Sequence, residues 1–239
     1  MIIAATGDIH SPRHFDIFVK GVEELRVKPD IFLLCGDIIY RGKVEEYQKI
    51  YNVFFGKITC PIIACFGNEE FGPETRMLIE NQVPDIKFLD DEILTLEIDD
   101  KSVGILGSLG SLDRPTFWQR NSIPDIAEIY NKRVETIEKL LSEMKTDFRI
   151  LLIHYTPTYK ILEGENPRTY AELGRNDLEK IVIEQKPNLV ITGHSHKGKK
   201  EVWIDTVPIF NVAMPLHRDI VVIDTEKNLK PGLEKFLEE

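Results

Sequence analysis

Ile31-Phe-Leu-Leu-Cys-Gly-Asp-Ile-Ile-Tyr-Arg-Gly42 opens as an apolar run and closes as a polar turn. Ile31 to Cys35 has the length and β-favouring content of a buried strand. Gly36 ends it, and Asp37 is the first side chain beyond its tip. In an open α/β sheet, ligands gather past the carboxyl ends of the strands, so the Asp37 carboxylate stands where an ion can be held. Four more apolar runs end in the same way. Met1 to Thr6 leads into Gly7-Asp8-Ile9-His10, and Pro61 to Phe66 into Gly67-Asn68-Glu69-Glu70. Arg149 to Ile153 delivers His154, and Leu189 to Thr192 delivers Gly193-His194-Ser195-His196. One strand-end Asp is more often a helix cap than a ligand. Five strand ends that each present an oxygen or nitrogen donor are hard to explain as caps.

Helical and strand periodicities place these tips in a frame. Apolar positions at 15, 18, 19, 22 and 25, and again at 44, 47, 50, 51 and 54, predict helices over Phe15 to Val27 and Val44 to Phe55. They read as the crossovers of two βαβ units, which makes the first half a parallel sheet. A shorter helix is expected over Pro73 to Asn81. Glu92 to Ile98 alternates, turns at Asp99-Asp100-Lys101 and returns through Ser102 to Leu106, a hairpin that belongs to antiparallel or mixed sheet. Gly107 to Asn121 has no period and reads as a long functional loop. Helices follow over Pro124 to Met144 and Asn176 to Gln185, with an irregular stretch at Thr158 to Tyr170 between them. Lys200 to Ile204, Val207 to Val212 and Asp219 to Asp224 are three short strands. The charged run after Asp224 (Lys227, Lys230, Glu234, Lys235, Glu238, Glu239) reads as a solvated end. With no repeat, low-complexity tract or linker composition, residues 1–239 are expected to form one domain.

Composition bounds the chemistry. The 239 residues carry a net charge of −10 with 42% hydrophobic and 29% charged side chains, ordinary for a globular protein. That charge argues against an extended nucleic-acid surface, which rests on Lys and Arg neutralising phosphates. Cys35, Cys60 and Cys65 cannot all pair, and two lie in core strands, so buried thiols in a reducing compartment are expected. No basic leader precedes the first strand and no apolar stretch approaches membrane-spanning length. The expected location is cytoplasmic, with no membrane partner. Only four Gln (48, 82, 119 and 185) among many Lys and Glu is the composition of a heat-adapted protein.

The order Asp-x-His, Gly-Asp, Gly-Asn, His, Gly-His-x-His, from residue 7 to residue 196, resembles the calcineurin-like metallophosphoesterases. The resemblance implies an α/β fold, a four-layer α/β/β/α sandwich of two mixed sheets flanked by helices. It implies two divalent transition-metal ions, for which carboxylate, imidazole and Asn carbonyl suit Mn, Fe, Zn, Ni or Co. Asp8, His10, Asp37 and His196 would hold one ion. Asp37, Asn68, His154 and His194 would hold the other, with Asp37 bridging. Such a pair implies hydrolysis of a phosphoester by a metal-bridging hydroxide. A phosphodiester is the first choice of substrate, a nucleotide being one candidate, and a phosphomonoester the second.

Gly36 to Gly42 also resembles the phosphate-contacting segment of the family's protein phosphatases. Arg41 would then grip phosphate bidentately, although a solvent-facing Arg is an equal reading. Arg114 and Arg120 are weaker candidates of that kind. His14 and His217 read as surface or packed histidines, and Phe117 and Trp118 either stack on a nucleobase or, as the preferred reading, cover the core. Position 69 departs from the family pattern. The usual Gly-Asn-His-Asp/Glu is here Gly67-Asn68-Glu69-Glu70, so the acidic partner stands at Glu70 while the His that protonates the leaving oxygen is replaced by Glu69. Arg41, Asp37, Asn68, Glu69 and Glu70 are thus the expected catalytic set. A catalytically weak metal-binding scaffold is the alternative that the missing His raises.

Overall fold

In a computed structural model that describes residues 1–230, Ile31–Cys35 is a strand buried at every position. It is the middle strand of a five-stranded sheet. In chain order, the elements of the first half are β1 (Ile2–Thr6), α1 (Phe15–Glu24), β2 (Ile31–Cys35), α2 (Glu45–Phe54), β3 (Ile62–Cys65), α3 (Pro73–Gln82) and β4 (Ile86–Leu89). β1 and β3 flank β2 in parallel, and β4 continues in parallel beyond β3. The second half adds β5 (Glu92–Ile98), β6 (Lys101–Ser108), α4 (Phe117–Ser122), α5 (Ile126–Glu143), β7 (Phe148–Ile153), α6 (Leu178–Gln185), β8 (Leu189–Thr192), β9 (Glu201–Ile204), β10 (Val207–Asn211), α7 (Met214–His217) and β11 (Val221–Asp224).

β5 to β10 form a six-stranded sheet in the order β5-β6-β7-β8-β10-β9. Its hairpin turns at Asp99 and Asp100, both in the left-handed region (φ 50° and 60°), the signature of a tight primed turn. β6, β7, β8 and β10 run parallel, with antiparallel strands at both edges. β11 returns antiparallel to β1, so the first sheet is mixed as well, although its other strands are parallel.

Strand periodicity assigns the layers. Leu33, Cys35 and Ile63 face Val103, Ile105, Ile150 and Ile191 across an apolar layer between the sheets. Phe32, Leu34, Ile62 and Ala64 face the other way, onto Phe18, Val22, Tyr47 and Ile50 of the first two helices. On the outside of the second sheet, Leu106, Leu151 and Val190 pack beneath Ile137 and Leu141 of α5 and Ile181 and Val182 of α6. Both faces of each central strand are covered, which is why these strands read as continuous apolar runs rather than alternating ones. The result is the four-layer α/β/β/α sandwich of two mixed sheets.

Several local expectations need correction. Residues 107–121 are not one irregular loop: β6 runs through Ser108, and Phe117–Ser122 is a short helix. A capping box starts that helix, the Thr116 hydroxyl accepting the Gln119 N–H while the Gln119 side chain accepts the Thr116 N–H. The signal, Thr116-Phe-Trp-Gln119, is present in the sequence. β4 and α7 were not anticipated, being four residues each and too short for a period. The stretch from Thr158 to Tyr170 holds two 3₁₀ turns, Tyr159–Leu162 and Pro167–Glu172. Of the charged run after Asp224, Glu234, Lys235, Glu238 and Glu239 lie outside the described residues. The three cysteines are free thiols, Cys35 and Cys65 buried. Among the described residues, no helix is long and apolar enough to cross a membrane.

Candidate metal centre

The parallel registers of β1, β2, β3 and of β7, β8 bring five carboxyl-terminal tips to one edge of the stacked sheets. The chain must turn sharply there, and it does so under strain. Asp8, His10, Asp37 and His194 all lie in the left-handed region, at φ 54°, 45°, 51° and 65°. Asp and His adopt it more readily than most residues, yet each such conformation still costs about 1–3 kcal/mol unless the surroundings enforce it. The glycines that precede the donors permit the crowding. A Cβ on Gly67 would lie 2.1 Å from Asp37 Oδ1, and one on Gly36 2.7 Å from His154 Nδ1.

The donors converge. Asp8 Oδ1 lies 3.1 Å from His196 Nε2 and 3.8 Å from His10 Nε2. His10 Nε2 is 3.8 Å from Asp37 Oδ2 and 3.4 Å from His196 Nε2. Asp37 Oδ2 is 3.5 Å from His154 Nε2, which is 3.3 Å from Asn68 Oδ1. Three overlapping sets have ligand atoms within 4.8 Å of one another: Asp8, Asp37, His154 and His194; Asp8, His10 and His196; His10, Asp37 and Glu69. Carboxylates and imidazoles meeting in this way, mostly buried, fit one or two borderline-to-hard divalent ions. Asp8, His10 and Asp37 each belong to two sets.

Backbone contacts behind the donors aim them. His154 Nδ1 donates to the Cys35 carbonyl at 2.8 Å, which leaves Nε2 toward Asp37 and Asn68 as a ligand requires. Asp8 Oδ2 accepts the His194 N–H at 2.8 Å, tying the β1 tip to the β8 tip. Asp37 Oδ1 accepts the Glu69 N–H at 2.8 Å. Glu70, expected among the catalytic groups, is fully buried and accepts the backbone N–H groups of Asp37, Ile38, Ile39 and Gly67. It is a clamp behind the Asp37 and Asn68 turns. Burial and the Asp37 charge push its carboxyl up, to about 7, against the N–H groups that favour ionisation.

Charge in the cluster is strongly coupled. Burial pushes the Asp37 carboxyl up, but the neighbouring His154 and His10 outweigh it and hold it far below the usual carboxylate range. For His154 burial works downward, and the Asp37 and Asp8 charges reverse it, raising the imidazole to about 10. Burial and the His154 charge lower His194 to about 4. Near pH 7.5 His154 is therefore protonated and His194 neutral. An ion that takes His154 Nε2 must displace that proton, so divalent binding should release at least one proton and tighten as pH rises. Titration calorimetry in buffers of different ionisation enthalpy reads the release directly, and zero release would remove His154 from the ligand set.

A model of the calcineurin-like phosphoesterase family matches residues 1–198. The chain belongs to that family. It is 23% identical over 224 residues to a probable glycerophosphodiester phosphodiesterase of Arcobacter nitrofigilis, covering 93% of this chain and 75% of that one. An uncharacterised protein of Methanocaldococcus jannaschii is 22% identical, over 87% of each chain. Among solved structures, the phosphopantetheinyl hydrolase of Mycobacterium tuberculosis superposes with a TM-score of 0.73 at 13% identity, covering 96% of this chain and 98% of that one.

The donor cluster of this calcineurin-like chain borders a cavity of about 730 Å³ whose wall includes Asn68, His194, Glu69, Arg41 and Glu172. The Glu69 carboxylate accepts the backbone N–H of Arg41, which pins it beside His10 and Asp37. No feature of the sequence signalled that it could itself reach an ion. The Arg41 guanidinium lies over the Tyr40 ring, 5.0 Å from its centre. Arg114 and Arg120 do not reach the cavity. Arg114 binds Glu172 and the Arg168 carbonyl, joining the two long connections, and Arg120 folds back to donate to the Pro115 carbonyl just before its own helix. His14 and His217 stand outside the donor sets. The reading of Phe117 and Trp118 as core cover is overturned. They are 75% and 52% exposed, because α4 rests on Gln119 and turns its two aromatics outward.

Proposed function

We propose that this chain is a dinuclear-metal phosphoester hydrolase and prefers phosphodiesters to phosphomonoesters. The observation that carries the proposal is the overlap of the three donor sets through Asp8, Asp37 and His10 at the wall of one cavity. The ligand sets implied by the family resemblance remain the reading: Asp8, His10, Asp37 and His196 for one ion, and Asp37, Asn68, His154 and His194 for the other. When bound, the two ions would acidify a water at neutral pH and neutralise the charge developing at phosphorus. The chain's own residues do the rest. The Glu70 clamp and the His154–Cys35 contact hold the donors in register, and Arg41 offers a fork to a phosphate oxygen.

The preference for a diester rests on the similarity to a probable glycerophosphodiester phosphodiesterase. Of the charged side chains on the cavity wall, Glu172 is paired with Arg114, which leaves Arg41 and Glu69 to face the substrate. Residues 1–239 are taken as one domain, since the layer between the sheets draws on both halves of the chain.

The test is reconstitution with Mn, Zn, Ni or Co in turn, with elemental analysis and assay of diester and monoester substrates. Two ions per chain and faster diester hydrolysis are expected. Less than one ion per chain under every condition would sink the two-metal reading, and faster monoester hydrolysis would sink the preference. Arg41→Lys keeps the charge but loses the fork, so KM should rise by roughly tenfold, the worth of one charged hydrogen bond, with a smaller fall in kcat. An unchanged KM for every substrate would return Arg41 to solvent.

A further inference from the structure

A second cavity, of about 250 Å³, adjoins the first and shares with it Asn68, Phe71, Trp118, Gln119 and Tyr155. Beyond those residues its wall is largely aliphatic and aromatic, including Leu109, Ile123, Ile126, Ile129 and Tyr130. Large apolar groups stand open around it: Phe71 is 46% exposed, Trp118 52% and Ile129 41%. Exposed apolar area of this kind beside a reactive site marks a ligand surface more often than chance.

The charged groups on that wall are paired, and Gln119 is spent. Gln119 spends its carbonyl on the Thr116 N–H (2.8 Å) and its amide on the Tyr155 hydroxyl (3.0 Å). Arg76 is paired with Asp90 and also donates to the Glu70 carbonyl. Arg133 holds Asp91 at 2.9 Å and the Gly110 carbonyl at 3.3 Å. Phe71 and Trp118 meet edge to face, with centroids 4.9 Å apart and planes at 86°, which leaves no parallel slot between them for a flat heterocycle. The donor groups of a nucleobase or a polyol would enter largely unanswered, since Asp90 and the Gln119 carbonyl are spent, and that is costly.

Taking the hydrolase reading of the main cavity as its starting point, we infer that this annexe is a specificity site for an apolar organic group on the phosphoester. The phosphoryl end lies at Asn68, and an alkyl chain runs toward Ile126 and Ile129. Trp118 is the hinge between the two cavities and reads the first carbons of the chain. This narrows the substrate class: esters of apolar alcohols, in preference to nucleosides or glycerol.

Alkylphosphonates test this without depending on turnover. Binding of methyl-, butyl- and octylphosphonate to the Mn-reconstituted full chain is measured by titration calorimetry, with thymidine 5′-phosphonate as the polar competitor. Each methylene that enters the annexe can tighten binding by up to about fourfold, so octyl should bind at least about tenfold tighter than methyl. The octyl-to-methyl ratio should collapse toward one in both Trp118→Ala and Ile129→Gln. Each variant serves as its own reference through methylphosphonate, so a general loss of affinity is not mistaken for loss of the site. Octyl binding no tighter than methyl, a ratio unchanged in both variants, or tighter binding of the nucleoside phosphonate would overturn the inference. Chain-length selectivity without hydrolysis of any ester would sink the hydrolase reading and leave this site standing. Hydrolysis without selectivity would do the reverse.

Discussion

Asp37→Asn is expected to lose both ions together, while His10→Ala mainly weakens one. The reason lies in where Asp37 stands. Its Oδ2 faces His10 Nε2 and His154 Nε2, and its Oδ1 is already occupied by the Glu69 N–H. It belongs to two of the three donor sets, as Asp8 and His10 also do. What sets it apart is that its Oδ2 stands between His10 of one set and His154 of another, and its charge is what holds His154 protonated in the metal-free chain. Asn keeps the size of the side chain and can still accept the Glu69 N–H, so the turn survives, but the negative charge does not. Removing a group that merely orients a ligand typically costs about 10–100-fold in metal affinity. Removing a shared ligand's charge should cost more than that at both positions. Elemental analysis after Mn reconstitution reads the outcome, with circular dichroism to establish that the variant folds. If Asp37→Asn retains one ion at full affinity, Asp37 does not bridge. Asp8, which also belongs to two sets, would then be the shared ligand.

What the sequence made legible follows from range. Each donor is announced by the residues beside it: an apolar run, a glycine, then Asp, Asn or His. Those signals are local because the strand, its end and the crowding that demands glycine all fall within a few residues. The sandwich was legible for a similar reason, since helical and strand periods differ and change at Glu92. Other features depend on partners far away in the chain. Glu70 could not be told from a catalytic acid until Asp37, Ile38, Ile39 and Gly67 were seen to converge on it. Trp118 read as core because bulk and apolarity usually mean burial, yet the α4 capping box turns it outward. The left-handed turns at Asp8, His10, Asp37 and His194 leave no mark in composition, since Asp and His are common in ordinary turns too.

The second large effect is expected at position 69, where the family pattern has His. An ester with a poor leaving group needs a proton on the departing oxygen, and a positioned acid typically supplies about 10²–10⁴-fold. A p-nitrophenolate departs without that help. Glu69 lines the main cavity, with its carboxylate held on the Arg41 backbone N–H and within reach of the His10 and Asp37 donor atoms. A carboxylate so placed adds negative charge where an anionic substrate must sit. The chain should therefore hydrolyse bis-p-nitrophenyl phosphate readily and dialkyl phosphates slowly. Glu69→His should raise the alkyl rate selectively, by at least tenfold and up to the ceiling set by general-acid catalysis. A pH–rate profile separates this from the alternative in which Glu69 is itself the acid. In that case the alkyl rate falls as pH rises through an ionisation that Glu69→Gln abolishes, and Glu69→His brings no gain. Metal content, measured on the same samples, separates a third role. If Glu69→Gln and Glu69→His both lose an ion while Arg41→Lys does not, the carboxylate is a ligand beside His10 and Asp37. The slow alkyl rate would then reflect a metal made less acidic by a third carboxylate rather than a missing proton donor.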